Sequence, residues 1–305
     1  MKKTIKAAFP GVHGAYSEVA LRKAFRKVEE RGRKVETVPR PQFKDAFIAV
    51  EEGKVDCGIV PIENSTEGSV NAVYDLFMKH GAIAIAEVFV NIHHMLVANP
   101  GTKVEEVTRV YSHPQALGQC RDFLSSRRLD AIQATNTAGA VKMIKEEGWK
   151  DAAAIAGEEA AKLYGMDILG RNIEDRGGNC TRFLIITRAD NTRQMREELG
   201  FHALTNGGAE SSKNGKYKTS LVFGLHHTVG ALHTVLEKFA KYGANLTQIN
   251  SRPTRERQWE YVFHVDFEGH IEDPKYAQML VDILQATAFL KVIGSYGVVY
   301  SENGH

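Results

Sequence analysis

The sequence predicts a two-lobed α/β protein that continues into a smaller α+β module. Short strand-like runs alternate with helical patterns over residues 1–188, the composition shifts at Ala189, and a different order of elements begins near residue 218. Alternating strands and helices are typical of right-handed βαβ units and of a parallel or mixed sheet. The length of 305 residues is about twice that of a usual single domain, which agrees with more than one folding unit.

The first lobe is expected to contain three strands and three helices. Apolar residues recur at helical spacing in each predicted helix, as Phe43, Ala46, Phe47 and Val50 do in the second one. In chain order we predict strand 4–11, helix 15–27, strand 34–40, helix 42–52, strand 55–62 and helix 69–80.

The second lobe is expected to begin with a long extended apolar stretch that also connects it to the first lobe. We predict strand 84–98, strand 108–111, helix 114–126, strand 131–135, helix 137–147, strand 152–156, helix 158–164, an apolar segment 166–169 and a last strand 181–187. Two lobes joined in this way leave a cleft between them, and small ligands usually bind in such clefts.

Residues 189–217 are predicted to be a linker, because they lose apolar periodicity and end in a run rich in Gly, Ser and Asn. After it we predict strand 219–225, helix 230–242, strand 246–252, strand 260–267, helix 275–287 and strand 290–299. This βαββαβ order is that of a ferredoxin-like module. The predicted domains are therefore 1–188 and 218–301.

Charge and cysteine content exclude several classes of protein. The 39 Lys and Arg residues nearly balance the 37 Asp and Glu residues, so charge gives no support for binding to nucleic acids or membrane surfaces. No apolar run approaches the ~18 residues of a membrane span, and the N-terminal one is too short for a signal peptide. Cys57, Cys120 and Cys180 lie far apart, which indicates neither disulfides nor a zinc site. We expect a reduced, cytoplasmic protein.

Polar, glycine-containing turns follow three of the predicted strands. They are 11–17 (GVHGAYS), 61–69 (PIENSTEGS) and 111–117 (YSHPQAL). The first backbone N–H groups of a helix can hold an anion, and open α/β sheets bind ligands at the carboxyl ends of their strands. Each turn also has a purely structural interpretation, with Ser69 as a helix cap and Pro114 at a first helical position. The residues alone leave both interpretations open.

A fourth motif, 179–183 (NCTRF), leads into the last predicted strand of the second set. Arg182 beside Thr181 suits a carboxylate clamp, because a guanidinium binds a carboxylate through two parallel hydrogen bonds. The alternative is a surface arginine on an edge strand. We interpret Cys180 as a bystander because no base lies near it in the sequence. The 12 histidines show no metal-ligand spacing, so structural roles are favoured for them.

Together these motifs resemble the prephenate dehydratase family over nearly the whole chain. Five signatures occur in order: Gly11-x-x-Gly14-Ala15-Tyr16-Ser17-x-x-Ala20; 61–65 (PIENS) with 68–70 (GSV); 112–117 (SHPQAL); 172–175 (NIED); and Asn179-x-Thr181-Arg182-Phe183. The C-terminal module resembles the ACT domain that accompanies this enzyme and senses phenylalanine. Its marks are Gly230-Ala231-Leu232-x-x-x-Leu236, 245–247 (NLT) and 251–253 (SRP).

The resemblance implies a two-lobed catalytic domain like the type 2 periplasmic binding proteins, with the active site between the lobes. It implies decarboxylating dehydration of prephenate to phenylpyruvate, without cofactor or metal. Thr181 would assist departure of the ring hydroxyl, and Arg182 would hold a carboxylate. The expected substrate-binding residues are Tyr16, Ser17, Glu63, Asn64, Ser65, Ser112, Gln115, Asn179 and Phe183. The alternatives are an arogenate dehydratase and a non-enzymatic solute-binding protein.

The resemblance also implies a regulatory site for L-phenylalanine and a homodimer or homotetramer. Its expected residues are Gly230, Ala231, Leu232, Asn245, Leu246, Asn250, Ser251, Arg252 and Pro253. Two positions depart from the family pattern: Asn250 stands where a Glu is usual, and Val229 where a Pro is usual. Neither departure touches the catalytic motifs, but the sign and strength of regulation are not predicted.

Overall fold

The first lobe is built on a mixed sheet in which one inner strand comes from late in the chain. The computed structural model describes residues 4–201, 217–253 and 261–301. The lobe contains β1 (Thr4–Pro10), α1 (Tyr16–Glu30), β2 (Lys34–Arg40), α2 (Phe43–Glu51), β3 (Cys57–Asn64), β4 (Gly68–Ser69), α3 (Asn71–Lys79) and β5 (Ile83–Asn91). One further strand, Cys180–Thr187, lies between β3 and β5 and runs antiparallel to both. It joins the two halves of the sheet.

The second lobe has its own five-stranded sheet with helices on both faces. Its elements are β6 (Met95–Ala98), β7 (Arg109–Ser112), α4 (Pro114–Gln119), α5 (Arg121–Ser126), β8 (Asp130–Gln133), α6 (Thr137–Glu147), β9 (Ala152–Ala156), α7 (Glu158–Tyr164) and β10 (Asp167–Gly170). The strand order is β10-β6-β9-β7-β8. All five residues of the Ala-rich β9 are buried, because helices cover both faces of this central strand. In chain order, the strand described above between β3 and β5 of the first lobe is β11 (Cys180–Thr187).

The predicted single strand 84–98 is wrong: it forms two strands, β5 and β6, that belong to different sheets. The break at residues 92–94 is where the chain crosses from one lobe to the other. The return crossing lies beside it, since the N–H of Ile92 donates to the carbonyl of Asn179 (2.8 Å) and the N–H of Ile173 donates to the carbonyl of His94 (3.0 Å). These two paired crossings form the hinge between the lobes.

The predicted helix 114–126 is also divided, into α4 and α5. Cys120 leaves the helical conformation with φ −123°, and α5 begins at the next residue. The carboxylate of Asp175 accepts hydrogen bonds from the N–H groups of Arg121 (2.9 Å) and Asp122 (3.0 Å). A carboxylate from the return crossing therefore caps the second helix, which local periodicity could not reveal.

The first part of the predicted linker is helical rather than irregular. A 3₁₀ turn, Ala189–Asn191, leads into α8 (Thr192–Leu199). Met195 is buried in the core of the first lobe, and Leu199 and Phe201 pack beside it. The helix is short and mostly polar, so this narrow apolar stripe gave no clear period in the sequence. The remainder of the predicted linker, 202–216, lies outside the described residues.

The C-terminal module has the predicted βαββαβ order. It contains β12 (Tyr217–Gly224), α9 (Ala231–Lys241), β13 (Leu246–Pro253), β14 (Tyr261–Glu268), α10 (Pro274–Gln285) and β15 (Phe289–Ser301). Its sheet has the order β13-β14-β12-β15, and β15 pairs in parallel with β5 of the first lobe. A Cβ atom at Gly294 would lie 2.0 Å from the carbonyl oxygen of Ala84, so only glycine permits this approach. Module and first lobe thus share one ten-stranded sheet.

The faces of the module differ in their partners. Leu221, Phe223, Val265 and Phe267 pack against α9 and α10 to form the module's own core. The opposite face of the same strands lies against the first lobe, where the His264 ring contacts the Tyr74 ring at a centroid distance of 4.5 Å. None of the helices in the described ranges has the length and apolar content needed to cross a membrane.

Candidate active site

A cavity of about 450 Å³ lies between the two lobes, next to the hinge. The ends of β1, β3 and β7 and the start of β11 all reach it, which is where an open α/β sheet is expected to bind a ligand. Seven of the predicted substrate and catalytic residues line it: Tyr16, Ser17, Asn64, Gln115, Asn179, Thr181 and Phe183. Residues far apart in the sequence are therefore brought to one site.

Four predicted site residues do not line the cavity. Ser112 is fully buried and donates a hydrogen bond to the carbonyl of Ile155 (2.6 Å), so it holds β7 to β9. The Ser65 hydroxyl accepts a hydrogen bond from the N–H of Cys180 (2.9 Å) and stabilises the loop beside the site. Glu63 and Arg182 sit opposite each other in the pairing of β3 with β11, on the face that points away from the cavity. These predicted contacts with the substrate are corrected by the structure.

The Thr181 hydroxyl is oriented by Asn64. The side-chain oxygen of Asn64 accepts hydrogen bonds from the N–H groups of Thr66 (3.0 Å) and Glu67 (3.1 Å), which fixes the orientation of the amide. Its nitrogen then donates to the Thr181 Oγ1 atom (2.9 Å). Because the Thr181 oxygen is an acceptor in this contact, its proton can be donated to a group in the cavity.

Two helices begin at the cavity. Tyr16 and Ser17 belong to the first turn of α1, and Asn136 and Thr137 begin α6. A helix N-terminus carries partial positive charge and attracts carboxylates. Among the residues that the structure describes, the cavity wall contains neither lysine nor arginine. A carboxylate bound here would therefore have no lysine or arginine of the wall as a partner, and the wall also includes the Glu67 carboxylate.

Asn136 and Thr137 line the cavity but belong to none of the predicted site motifs, although the sequence carries a signal for them. Asn136 follows strand β8 and caps α6, since its side-chain oxygen accepts a hydrogen bond from the N–H of Gly139 (2.6 Å). A cap residue directly after a strand is the same pattern that drew attention to the other three turns. His94 and Gln119 also line the cavity and were not predicted. Within the described ranges, no group of three or more His, Cys, Asp or Glu residues is placed to hold a metal ion.

Arg182 is buried at the contact between the first lobe and the C-terminal module. Its guanidinium forms an ion pair with Asp266 of β14 and lies 3.9 Å from Glu87 and 3.8 Å from Glu63. Burial by itself would lower the pKa of this group, but the negative charges around it, that of Asp266 first, hold the pKa well above its usual value. The predicted carboxylate clamp is wrong, because successive strand residues point to opposite faces and Thr181 takes the cavity side.

The predicted regulatory residues fall into three groups. Gly230, Ala231 and Leu232 line a second cavity of about 300 Å³ in the module. Ser251 and Pro253 pair with Phe263 and Tyr261, which also line that cavity.

The other predicted regulatory residues lie elsewhere. Asn250 and Arg252 belong to the opposite face of β13, where Arg252 contacts Asp75 of the first lobe (3.3 Å). Leu246 packs in the core of the module, and the Asn245 side chain donates to Glu268 (3.0 Å). The structure therefore does not place these four residues at the second cavity, because strand alternation and the length of β13 separate them from it.

Comparison with protein families gives two matches along the chain. The family model described as prephenate dehydratase matches residues 7–191, and the model described as ACT domain matches residues 219–276. A bifunctional chorismate mutase/prephenate dehydratase of Pseudomonas aeruginosa is 38% identical over 97% of this chain and 74% of its own length. An arogenate dehydratase/prephenate dehydratase 2 of Arabidopsis thaliana is also 38% identical, over 96% and 73%.

Two solved structures share the whole architecture. One is GqqA, described as a novel type of quorum quenching acylase, with 30% identity and a TM-score of 0.80 over 98% of this chain and 100% of that one. The other is the prephenate dehydratase of Arthrobacter aurescens in complex with L-Phe, with 28% identity and a TM-score of 0.80 over 97% and 90%. The similarity thus extends across both lobes and the C-terminal module.

Proposed function

The chain belongs to the prephenate dehydratase family, and from this premise we propose that it converts prephenate to phenylpyruvate with loss of water and carbon dioxide. The observation that carries the proposal is the orientation of the Thr181 hydroxyl. Its oxygen accepts from Asn64, so its proton is available to the ring hydroxyl of the substrate. The ring hydroxyl is a poor leaving group, and a donor placed at the developing negative charge lowers the barrier to its departure.

The chemistry needs little more from the protein than positioning and one such donor. The C–C bond to the ring carboxylate breaks, and its electron pair moves through the ring to expel the hydroxyl, which takes up a proton and leaves as water. Carbon dioxide is released and the ring becomes aromatic. A threonine hydroxyl is a weak acid, so it stabilises the leaving oxygen by hydrogen bonding while water supplies the net proton.

The two carboxylates of prephenate fit the two helix N-termini at the cavity. We assign one carboxylate to the first turn of α1, beside Tyr16 and Ser17, and the other to the first turn of α6, beside Thr137. Phe183 packs near the substrate ring. Acyl transfer, as named for GqqA, would need a nucleophile activated by a base. The Thr181 oxygen instead accepts a hydrogen bond from the Asn64 amide, which is a donor and not a base in this contact. We therefore do not propose that activity here.

The test is formation of phenylpyruvate from prephenate by the purified protein, with arogenate supplied in a parallel reaction. We expect turnover of prephenate to exceed that of arogenate, measured as kcat/KM. Preferential turnover of arogenate would keep the dehydratase chemistry and change the substrate, since the two differ by an amino group in place of a keto group. A lack of turnover with both substrates would contradict the proposal.

We also propose that L-phenylalanine regulates the enzyme from the cavity of the C-terminal module. Gly230 lines this cavity with a φ of +81°, a backbone conformation that favours glycine. Leu225, Leu232 and Phe263 give the cavity apolar walls. The complex of the Arthrobacter aurescens relative with L-Phe supports this choice of effector. Strand β13 is an edge strand with Ile249 exposed, which is in keeping with pairing of two modules in a homodimer or homotetramer.

A direct route leads from strand β13 to the active site through Gln248. Its side-chain oxygen accepts hydrogen bonds from Tyr74 (3.1 Å) and Arg182 (3.4 Å), and its nitrogen donates to the Ser69 hydroxyl (3.3 Å). Ser69 lines the cavity between the lobes. A shift of β13 on effector binding would therefore move a wall of the active site.

Replacing Gln248 with leucine should weaken the response to L-phenylalanine while turnover without effector changes little. Because the variant removes the polar link to Ser69, we expect the effector concentration for half-maximal response to change by about tenfold. Prephenate turnover measured across a phenylalanine titration checks this. Gln278→Leu, on the exposed side of α10, is the matched control. An unchanged response in Gln248→Leu would exclude this route.

A further inference from the structure

We propose that His94 and Gln119 are positioning residues that hold the hydrogen bonds ending at Thr181 in the direction that the backbone sets at Asn64. The inference rests on the proposed dehydration for its catalytic consequence, but the arrangement itself can be measured without substrate. Both residues line the cavity, and neither belongs to the predicted site. They matter because an amide side chain can point either end toward its partner, and only one orientation leaves the Thr181 proton free.

The direction of these bonds is anchored in the backbone. Two backbone N–H groups hold the Asn64 oxygen, so the Asn64 nitrogen must face Asn179 and Thr181. The Asn179 oxygen accepts a hydrogen bond from the Asn64 nitrogen (2.6 Å). The Asn179 nitrogen therefore faces the second lobe, where it donates to the Gln119 oxygen (3.0 Å). Each amide therefore determines the orientation of the next one.

Gln119 completes a closed set of hydrogen bonds across the cleft. It ends helix α4 in the second lobe, yet its side-chain nitrogen donates to the Thr66 hydroxyl (3.1 Å) and reaches the Glu67 carboxylate (3.4 Å) in the first lobe. The Thr66 hydroxyl in turn donates to the Asn64 oxygen (2.6 Å). The same amide thus joins the lobes and returns to Asn64, where the direction was set.

His94 prevents the Gln119 amide from turning over. Its Nε2 atom lies 2.9 Å from the Gln119 oxygen, and since that oxygen can only accept, the ring must carry its proton on Nε2. The side chain is buried at the hinge, and burial lowers the pKa of the imidazole, so the ring is neutral near pH 7. Its Nδ1 atom is 3.4 Å from the Tyr16 hydroxyl, which donates to the His93 carbonyl. A neutral ring of this tautomer holds the whole set in one direction.

Loss of the His94 donor is expected to act on kcat rather than on KM. Without it the Gln119 and Asn179 amides can adopt the reverse orientation. The Asn179 nitrogen would then face the Asn64 nitrogen, and the hydrogen bond that Thr181 accepts from Asn64 would be displaced. Misplacement of a reacting group by about 1 Å can cost on the order of 100-fold in rate. We therefore expect His94→Leu to lower kcat by about 10- to 100-fold with KM within about threefold.

The experiment combines kinetics with nitrogen NMR of the histidine rings. His94→Gln, which restores an N–H donor near the position of Nε2, should recover most of the lost kcat. His93→Leu is the matched control, because the neighbouring His93 side chain is exposed and pairs with Glu174 outside the cavity. Equal losses in His94→Leu and His94→Gln, or a rise in KM alone, would overturn the positioning role.

The NMR measurement separates this inference from the proposed function. In the wild-type protein without substrate, we expect the His94 ring to be neutral with its proton on Nε2, and Gln119→Glu to raise the pKa of His94 because a carboxylate then faces Nε2. A proton on Nδ1, or an unchanged pKa in Gln119→Glu, would overturn the inference even if prephenate is a good substrate. The expected tautomer together with no prephenate turnover would support the hydrogen-bond arrangement and refute the dehydration.

Discussion

Replacing Thr181 with valine should lower kcat for prephenate by about a thousandfold and leave KM nearly unchanged. Valine keeps the β-branched shape on β11 but has no hydroxyl to donate to the leaving oxygen. Removal of one preorganised donor at a developing negative charge typically costs about 10²- to 10³-fold in kcat. Steady-state formation of phenylpyruvate measures the effect, with saturating prephenate to separate kcat from KM.

Two further variants make the Thr181 result specific. Thr181→Ser retains a hydroxyl and should recover a large part of the activity. Thr187→Val lies at the other end of β11, where the threonine hydroxyl donates to the carbonyl of Asp56 (2.7 Å), and should keep kcat near that of the wild type. Near-normal kcat in Thr181→Val would remove the hydroxyl from the mechanism. A large rise in KM alone would assign it to substrate binding instead.

Replacing Arg182 with methionine should destabilise the protein by about 3–5 kcal/mol, the usual result of removing one partner from a buried ion pair. Asp266 is nearly fully buried and would lose the guanidinium that compensates its charge, whereas Glu87 would keep its contact with Lys218 (3.2 Å). Urea unfolding near pH 7 measures the loss. The double variant Arg182→Met/Asp266→Asn should recover part of it, because the strongest uncompensated charge is then removed as well.

Arg182→Lys tests the same residue for a role in substrate binding. Because the guanidinium lies on the far side of β11 from the cavity, we expect KM for prephenate within about threefold of the wild type, whereas loss of a direct carboxylate contact would raise it far more. For the unfolding measurement on Arg182→Met, the matched control is Arg193→Met, since Arg193 and Glu197 form an exposed ion pair. A KM raised about 100-fold in a stably folded Arg182→Lys protein would indicate that Arg182 does bind the substrate.

Strand alternation by itself limits which residues of β11 can face the cavity. Thr181 and Arg182 are neighbours in an extended segment, so their side chains must point to opposite faces of the sheet. That rule alone excludes a site in which both contact the same substrate from β11. It does not say which of the two faces the cavity, because that depends on the order of the strands and on what covers each face.

The sequence predicts a helix correctly where the apolar period extends over many residues, and it misses a helix where that period is short. Helix α1 has 15 residues with buried positions from Ser17 to Val28, and the spacing of its apolar residues is visible in the sequence alone. Helix α8 has eight residues and a single fully buried side chain, Met195, so its period was lost in a polar background. The segment 84–98 is apolar except for Glu87, Asn91, His93 and His94. It is divided at the last three of these residues, because β5 and β6 pair with strands of different sheets.

The sequence by itself determined the type and order of most elements, the βαββαβ module and the turn motifs at the site, because these depend on residues close together in the chain. Only the tertiary structure decided that Arg182 faces Asp266, that the module extends the sheet of the first lobe, and that His94 and Gln119 orient Asn179. Those contacts join residues between 25 and 212 positions apart. Sheet order and the closure of the two lobes bring them together, and neither is a property of any local segment.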